Sequence, residues 1–249
     1  MNILHFNSLP STYTYVCENA STMASDTVIL ADFQTSGRGQ RGNTWESEAG
    51  SNLLMSMLVR MNRWAARRQF YISEVVSLAV VEALRRTAGV EARVKWPNDI
   101  YVGDRKITGI LISHSLHTGE EGDARIAHTV IGVGVNVNQR EFHSDAPNPV
   151  SLFQLTGKNY DVEALAAMLA ALVKAGLTRL EQGEAEAVHT EYMASLWRGD
   201  GKMYPFYDVA SGERFQASVY AVEPMGHLVL RTHPEGALRR YAFKEVAWL

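Results

Sequence analysis

Two short segments of this chain concentrate residue types suited to binding anions. The first, FQTSGRGQRGNTWES at 33–47, sets Arg38 and Arg41 among Gly37, Gly39 and Gly42, with Trp45 close behind. Glycines free the backbone to turn N–H groups toward an anion, and a guanidinium fork matches carboxylate or phosphate. The same letters also suit a solvated linker or an arginine–glycine element for RNA, and Trp45 suits either a base stack or a core. The second, VKWPNDIYVGDRKITGILI at 94–112, runs Lys95, Trp96, Pro97, Asn98 and Asp99 together and then places Lys106 at the head of an apolar stretch. Pro97 drives Trp96 out of helical dihedrals, and Asn98 and Asp99 suit a turn. Lys106 is either a buried cation facing a ligand or a charge guarding a strand edge. A third segment, IGVGVNVN at 131–138, repeats Gly132 and Gly134 at every other position. That leaves one strand face bare for a flat ligand or another backbone, or marks a bulged edge. Together they point to an anionic, partly flat ligand and to a nucleotide-handling enzyme.

The elements that must position these segments can be read around them. NILHF is a short strand, and the text after Pro10 starts a helix that Ser8 or Ser11 can cap. TVILADF (27–33) and NLLMSMLVRM (52–61) are strands that hold the two ends of the basic loop. Ile72, Val75, Val76, Ala79, Val80, Ala83 and Leu84 keep helical spacing up to Gly89, which belongs at a helix C-terminus. ARVKW is a strand, Gly103–Asp104 turns a hairpin into KITGILISHS, 118–124 is a polar turn, and 124–138 is a long strand. From 161 to about 197 the text is helical, with Asp161 as N-cap and Leu165, Leu169 and Leu172 on one face. The remainder is short strands broken by SGE, PMG and PEGA turns, which reads as a small β-barrel. The expectation is an α+β domain over 1–197 and a barrel over 198–249. Hairpins replace alternating βαβ units, so a doubly wound fold is not expected, and no Gly-Lys-Ser/Thr phosphate loop is present.

Composition narrows the classes. The chain has 249 residues, 46% of them hydrophobic and 20% charged, which excludes disorder. A formal net charge of −3 gives no overall bias toward nucleic acid, so any basic site must be local. The single cysteine, Cys17, rules out an intramolecular disulfide framework, suits a reducing compartment, and is expected to be a small buried residue near a helix start. The N-terminus lacks the layout of a signal peptide, and no run reaches the roughly 18 apolar residues a membrane span needs, so a cytoplasmic location is expected. The eight histidines show no paired ligand spacing, and no structural metal is expected.

GRGQRGNTW, KWPNDI, DRKITGIL and IGVGVNVN, in this order and at these separations, resemble the biotin protein ligase family, over most of residues 1–140. The resemblance implies a catalytic domain like that of class II aminoacyl-tRNA synthetases with a mixed antiparallel sheet, followed by a small SH3-like barrel. This chain begins directly at the catalytic domain and so resembles the monofunctional members, which lack an N-terminal DNA-binding domain. The implied reaction activates biotin with MgATP as biotinyl-5′-AMP, releasing pyrophosphate, and then passes biotin to a lysine of a biotin carboxyl carrier domain. Biotin and ATP with Mg2+ are implied as substrates, with no permanently bound cofactor, no DNA and no membrane partner. Exposed strands beside the basic loop would allow a sheet-extending homodimer.

By the same resemblance, Ser11, Thr12, Tyr13 and Gln34 match the positions that hold biotin's rings and chain, with Gly37, Gly39 and Gln40 in the loop above it. Arg38 and Lys106 match those contacting carboxylate and phosphate. Gly109, Gly132 and Gly134 would let a ring system lie on backbone. Trp45, Asn136, Lys95, Asn98 and Arg41 fall to the adenylate. Lys106, Arg38 and Asp99 form the catalytic set, Asp99 orienting or deprotonating the incoming lysine. Gln40 departs from the pattern: many members carry arginine there, associated with retaining the adenylate, and glutamine supplies no charge. The loop is expected to be disordered when empty and to order over the adenylate. A lipoate ligase would share fold and chemistry, but its arginine-pair and triple-glycine signature is absent. A nucleic-acid binder using Arg38, Arg41 and Trp45 is the remaining alternative.

Overall fold

The computed structural model describes residues 2–120, 122–143 and 148–249, with side chains for all of them except Arg41. Strands β1 (Asn2–Leu9), β2 (Thr27–Gln34), β3 (Leu53–Val59), β4 (Ala92–Lys95), β5 (Asp99–Val102), β6 (Arg105–Thr118) and β7 (Ala124–Val135) make one sheet in the order β1-β2-β3-β7-β6-β5-β4. Only β1 and β2 run parallel; every other neighbouring pair is antiparallel.

Register sorts the side chains onto two faces, because strand residues alternate. One row across the sheet is Val28, Met57, Ile131 and Ile112; the row beside it is Ile29, Ser56, Gly132 and Leu111. The first face belongs to the main core and is covered by helices α2 (Phe70–Ala88) and α4 (Val162–Glu181). α2 buries all seven residues of the apolar spacing, each worth on the order of 1–3 kcal/mol for the larger side chains. It stops at Gly89, whose φ of +66° suits glycine and whose N–H bonds the carbonyl of Arg85.

The second face is covered at one end by α1 (Thr12–Asn19), which packs Val16 and Ala20 on Ile29, Leu58 and Val130. Ser11 caps α1 by accepting from the N–H of Thr14. Thr12, Val16 and Ala20 form the buried stripe of this helix and its end, four residues apart, which turns Cys17 outward. The expectation of a buried cysteine is therefore corrected: Cys17 is exposed. Beyond α1 the second face carries Gly109, Gly132 and Gly134, and this is where the sheet opens into a cleft.

The helical text after Asp161 divides in two. α4 is capped by Asp161 accepting from Ala164, and a turn at Gly183 (φ +89°) separates it from α5 (Ala185–Ala194). A short helix α3 (Leu152–Thr156), capped reciprocally by Ser151 and Gln154, had no clear signal in its apolar pattern. The C-terminal strands β8 (Tyr204–Asp208), β9 (Arg214–Val222), β10 (Leu228–His233), β11 (Leu238–Tyr241) and β12 (Val246–Trp248) form a fully antiparallel five-stranded sheet, ordered β11-β10-β9-β8-β12. It docks beside the mouth of the cleft, where the indole N–H of Trp96 donates to the carbonyl of Gly226 and Trp197 meets Trp248 edge to face.

Candidate active site

The cleft has a volume of about 970 Å³ and is walled by α1, the basic loop, β4 to β7 and the C-terminal strand β12. One end is built by neutral polar groups. Gln34, at the end of β2, accepts from both the N–H and the hydroxyl of Thr12, at 2.8 and 3.0 Å. The Thr12 hydroxyl lies 2.9 Å from that of Ser56, a residue with no exposure. Tyr13 packs its ring on Gly132, where an added Cβ would come within 3.0 Å of it. Burial raises the pKa of this phenol, which lies beside Ser113 and Cys17. A neutral hydrogen-bonding end closed by an aromatic ring suits an uncharged heterocycle.

The basic loop is drawn into a hairpin by backbone contacts between its two arms. Arg38 bridges Thr44, the N–H of Gly39 donates to the carbonyl of Asn43, and that of Trp45 to the carbonyl of Gly37. Gln40 opens the 3-10 turn Gln40–Gly42, which Gly42 closes at φ +87°. Gly37 is required by packing: a Cβ there would meet the carbonyl oxygen of Trp45 at 2.5 Å. Gly37, Gly39 and Gly42 have the spacing of a dinucleotide-binding turn, yet no α-helix follows them, so no helix N-terminus lies behind the loop. The loop does carry Trp45 onto the sheet. An added Cβ would reach the indole at 2.6 Å from Gly134 and at 2.9 Å from Gly109. The glycine stripe thus receives flat rings of the protein itself, Trp45 on Gly109 and Gly134 and Tyr13 on Gly132.

Four cations were expected around the ligand's charge. Lys106 sits at the base of β6 with its Nζ 2.6 Å from Oδ1 of Asp99, both side chains about a quarter exposed. β5 and β6 pair antiparallel through a short turn, and that places them side by side. Lys95, on β4, donates to the Tyr101 hydroxyl at 3.0 Å and lies over the rings of Tyr101 and Trp197, at 4.5 and 5.1 Å. Burial lowers its pKa. The same burial, with Asp99 and Asp104 nearby, raises the Tyr101 phenol to about 12. Arg38 is exposed at the rim. Among the described residues neither Lys95 nor Arg38 forms a direct ion pair with a carboxylate, although Asp99 and Asp104 lie near enough to Lys95 to favour its charge. The Arg41 side chain lies outside the described residues.

Asn98 and Asn136 line the cleft but direct their amide donors into its frame. Asn98 donates to the carbonyl of Ile110 at 2.7 Å and Asn136 to that of Val150 at 3.1 Å. They fix the turn after Pro97 and the end of β7. The motifs did not reveal the wall supplied by Phe243, Lys244 and Trp248 of the C-terminal sheet. Nothing in their local sequence marks them, since only the docking of that sheet brings them to the cleft.

Residues 5–136 match the model of the biotin/lipoate A/B protein ligase family. The chain belongs to that family. It is 37% identical over 175 residues to the bifunctional ligase/repressor BirA of Escherichia coli, covering 70% of this chain and 53% of that protein. It is 30% identical over 166 residues to the BirA of Bacillus subtilis, covering 64% and 49%. The chain thus spans about half the length of these curated relatives. Among solved structures it is similar to the biotin protein ligase of Aquifex aeolicus in complex with biotin and ATP, with a TM-score of 0.77, 22% identity and coverage of 99% and 97%. The Leishmania major enzyme in complex with biotinyl-5-AMP superposes with a TM-score of 0.64 at 21% identity, covering 97% and 98%. The fold is therefore that of the biotin protein ligases across both sheets, as the family resemblance implied.

Proposed function

We propose that this family member is an AMP-forming biotin–protein ligase: it activates biotin with ATP and transfers it to a lysine of a biotin carboxyl carrier domain. The observation that carries the reading is the junction, in one cleft, of a neutral hydrogen-bonding end (Thr12, Gln34, Ser56) with a cationic end (Lys106, Arg38, Lys95). Biotin has that polarity, an uncharged ureido ring at one end and a carboxylate at the other. In the first step the carboxylate attacks the α-phosphate of ATP, the P–O bond to pyrophosphate breaks, and a mixed anhydride forms. Two anions must approach, so cations held in place before the reaction lower the barrier. Lys106 and Arg38 take the reacting centre, and Lys95 takes charge building on the departing pyrophosphate.

In the second step a neutral amine attacks the anhydride carbonyl, an amide forms, and AMP leaves. At a reference pKa near 10.4, only on the order of one lysine in a thousand is neutral at pH 7, so a proton acceptor matters. Asp99 is that acceptor, held in place by Lys106. Trp45 and Tyr13, already seated on the glycine stripe, flank the ligand. Among the described residues no group of three histidine, cysteine or acidic side chains could cage a metal. Magnesium would enter on the phosphates, which suits its habit of keeping waters and few protein ligands.

The catalytic unit is assigned to 1–197 and the appended barrel to 198–249, and the enzyme is placed in the cytoplasm; no helix of the described residues is long and apolar enough to cross a membrane. A homodimer would extend the sheet at β1, an edge strand whose Ile3 and Leu4 are each 39% exposed. The test is incubation of the protein with ATP, biotin and an apo carrier domain, read by mass spectrometry. Addition of one biotinyl group at a single lysine, dependent on ATP, supports the reading; an unmodified carrier contradicts it.

A further inference from the structure

A second cavity, of about 350 Å³, lies against the opposite face of the large sheet. Its sheet wall is Ile110, Ile112 and His114, the residues of β6 that alternate with Gly109 and Leu111 of the cleft. α2 supplies Ser73 and Ser77, and the C-terminal sheet closes the far side with Met225 and Phe243. No step of the adenylation uses it.

Three features define what it takes. No carboxylate, lysine or arginine lines it, and burial pushes the His114 imidazole down to about 4, so that ring is neutral. His227, the other imidazole of the lining, is engaged by Glu223 and Arg240. An uncharged occupant fits this lining best, since a buried ion would lose its hydration without a partner. Ser77 lines the cavity with 1% exposure, and its hydroxyl has no hydrogen-bond partner among the described residues. The volume is at the small end of the roughly 300–1,000 Å³ usual for ligand sites, fit for a side chain or two.

Position decides the source of that side chain. Gln40, Pro97, Asn98, Ile110 and Phe243 line both this cavity and the cleft, so the two spaces meet at one rim. At that rim β5 stops pairing with β6: the register ends at Asp99–Gly109, and Ile110 bonds Asn98 just beyond. Alternation then turns the N–H and C=O of Ile112 and His114 toward the open edge. A segment laid extended along this edge sends successive side chains to opposite faces of the sheet. A lysine pointing into the cleft therefore has its immediate neighbour over the cavity.

We propose that this cavity is a specificity pocket for the carrier, receiving the uncharged apolar side chain next to the lysine that accepts biotin. The proposal rests on the ligase reading above. Ser77→Leu and, separately, Ser73→Leu fill the cavity from α2 without touching the cleft. Each is assayed for biotin-dependent ATP–pyrophosphate exchange and for the KM of an apo biotin carboxyl carrier domain. Exchange should stay within about twofold of the parent while KM for the carrier rises roughly tenfold, the scale of apolar pocket discrimination. Carrier variants with glycine beside the accepting lysine should lose a similar factor on the parent and little more on the filled variants. An unchanged carrier KM in a variant with intact exchange, or fully additive losses, overturns the pocket. If one serine variant fails to fold, the other and the carrier series still decide. Absence of exchange in the parent protein would instead overturn the ligase reading.

Discussion

Gly134→Ala is the sharpest perturbation of the cleft, because one methyl group meets a rigid ring. The new Cβ would lie 2.6 Å from Cε2 of Trp45 and 2.9 Å from both Cζ2 and Nε1, where ordinary contacts begin near 3.4 Å. The indole must lift by roughly 1 Å, and strain of this kind in a packed site costs about 1–3 kcal/mol. Trp45 cannot retreat alone. Its backbone N–H donates to the carbonyl of Gly37, and the hairpin between them carries Arg38. The loop should lift with the ring, holding the stability loss near the low end, about 1 kcal/mol, while adenylation suffers more. Thermal unfolding and ATP–pyrophosphate exchange measure the two effects, and Trp45→Leu completes a double-mutant cycle. Since the shorter side chain removes the clash, Gly134→Ala should cost at least 1 kcal/mol less in the Trp45→Leu background than in the parent. Strict additivity would refute the seating of Trp45 on the stripe.

Asp99→Asn should leave adenylate formation within about tenfold while slowing transfer from preformed biotinyl-5′-AMP by at least ~10², the range of a lost general base; full transfer would remove Asp99 from that role. Gln40→Arg adds a cation to the cleft lining, so the release of biotinyl-5′-AMP in the absence of carrier should slow several-fold, measured by rapid gel filtration of the complex; an unchanged release rate would show that the turn at 40–42 does not hold the adenylate. Away from the cleft, burial pushes the Glu74 carboxyl up to about 7, although His189 lies 2.8 Å from one of its oxygens, and the other has no partner among the described residues. The folded state therefore keeps a proton that the unfolded chain gives up near pH 4.5, so stability falls as pH rises from about 4.5 to 7, by at most about 3 kcal/mol. Glu74→Gln should raise Tm more at pH 8 than at pH 5, and a gain independent of pH would contradict this.

What the sequence revealed and what it concealed divide along chain distance. The apolar spacing of α2, its end at Gly89, and the caps Ser11 and Asp161 are local, and all stand in the structure as read. The bare face at Gly132 and Gly134 was legible from alternation. Its occupants were not, because Tyr13 and Trp45 reach it from more than eighty residues away in the chain. The loop's glycines and arginines read as a flexible segment, and their spacing did not show the backbone bonds from Gly39 to Asn43 and from Trp45 to Gly37 that draw it into a hairpin. Lys106 and Asp99 were both singled out, but only the β5–β6 hairpin shows that they form an ion pair, while among the described residues Lys95 and Arg38 form none. Asn98 and Asn136 carry donors that any ligand could use, and backbone carbonyls take them first. Cys17 shows the limit of residue-type habit, since the helix phase set by Thr12 and Val16 decides its exposure.

The central claim is that one cleft joins a neutral ring-binding end to a cationic end able to activate biotin's carboxylate. Pyrophosphate exchange into ATP tests it most directly, with labelled pyrophosphate, ATP, magnesium and either biotin or lipoate, and no carrier present. The account predicts exchange that requires biotin and is abolished by Lys106→Ala. Exchange supported by lipoate in place of biotin, or by neither acid, would contradict it.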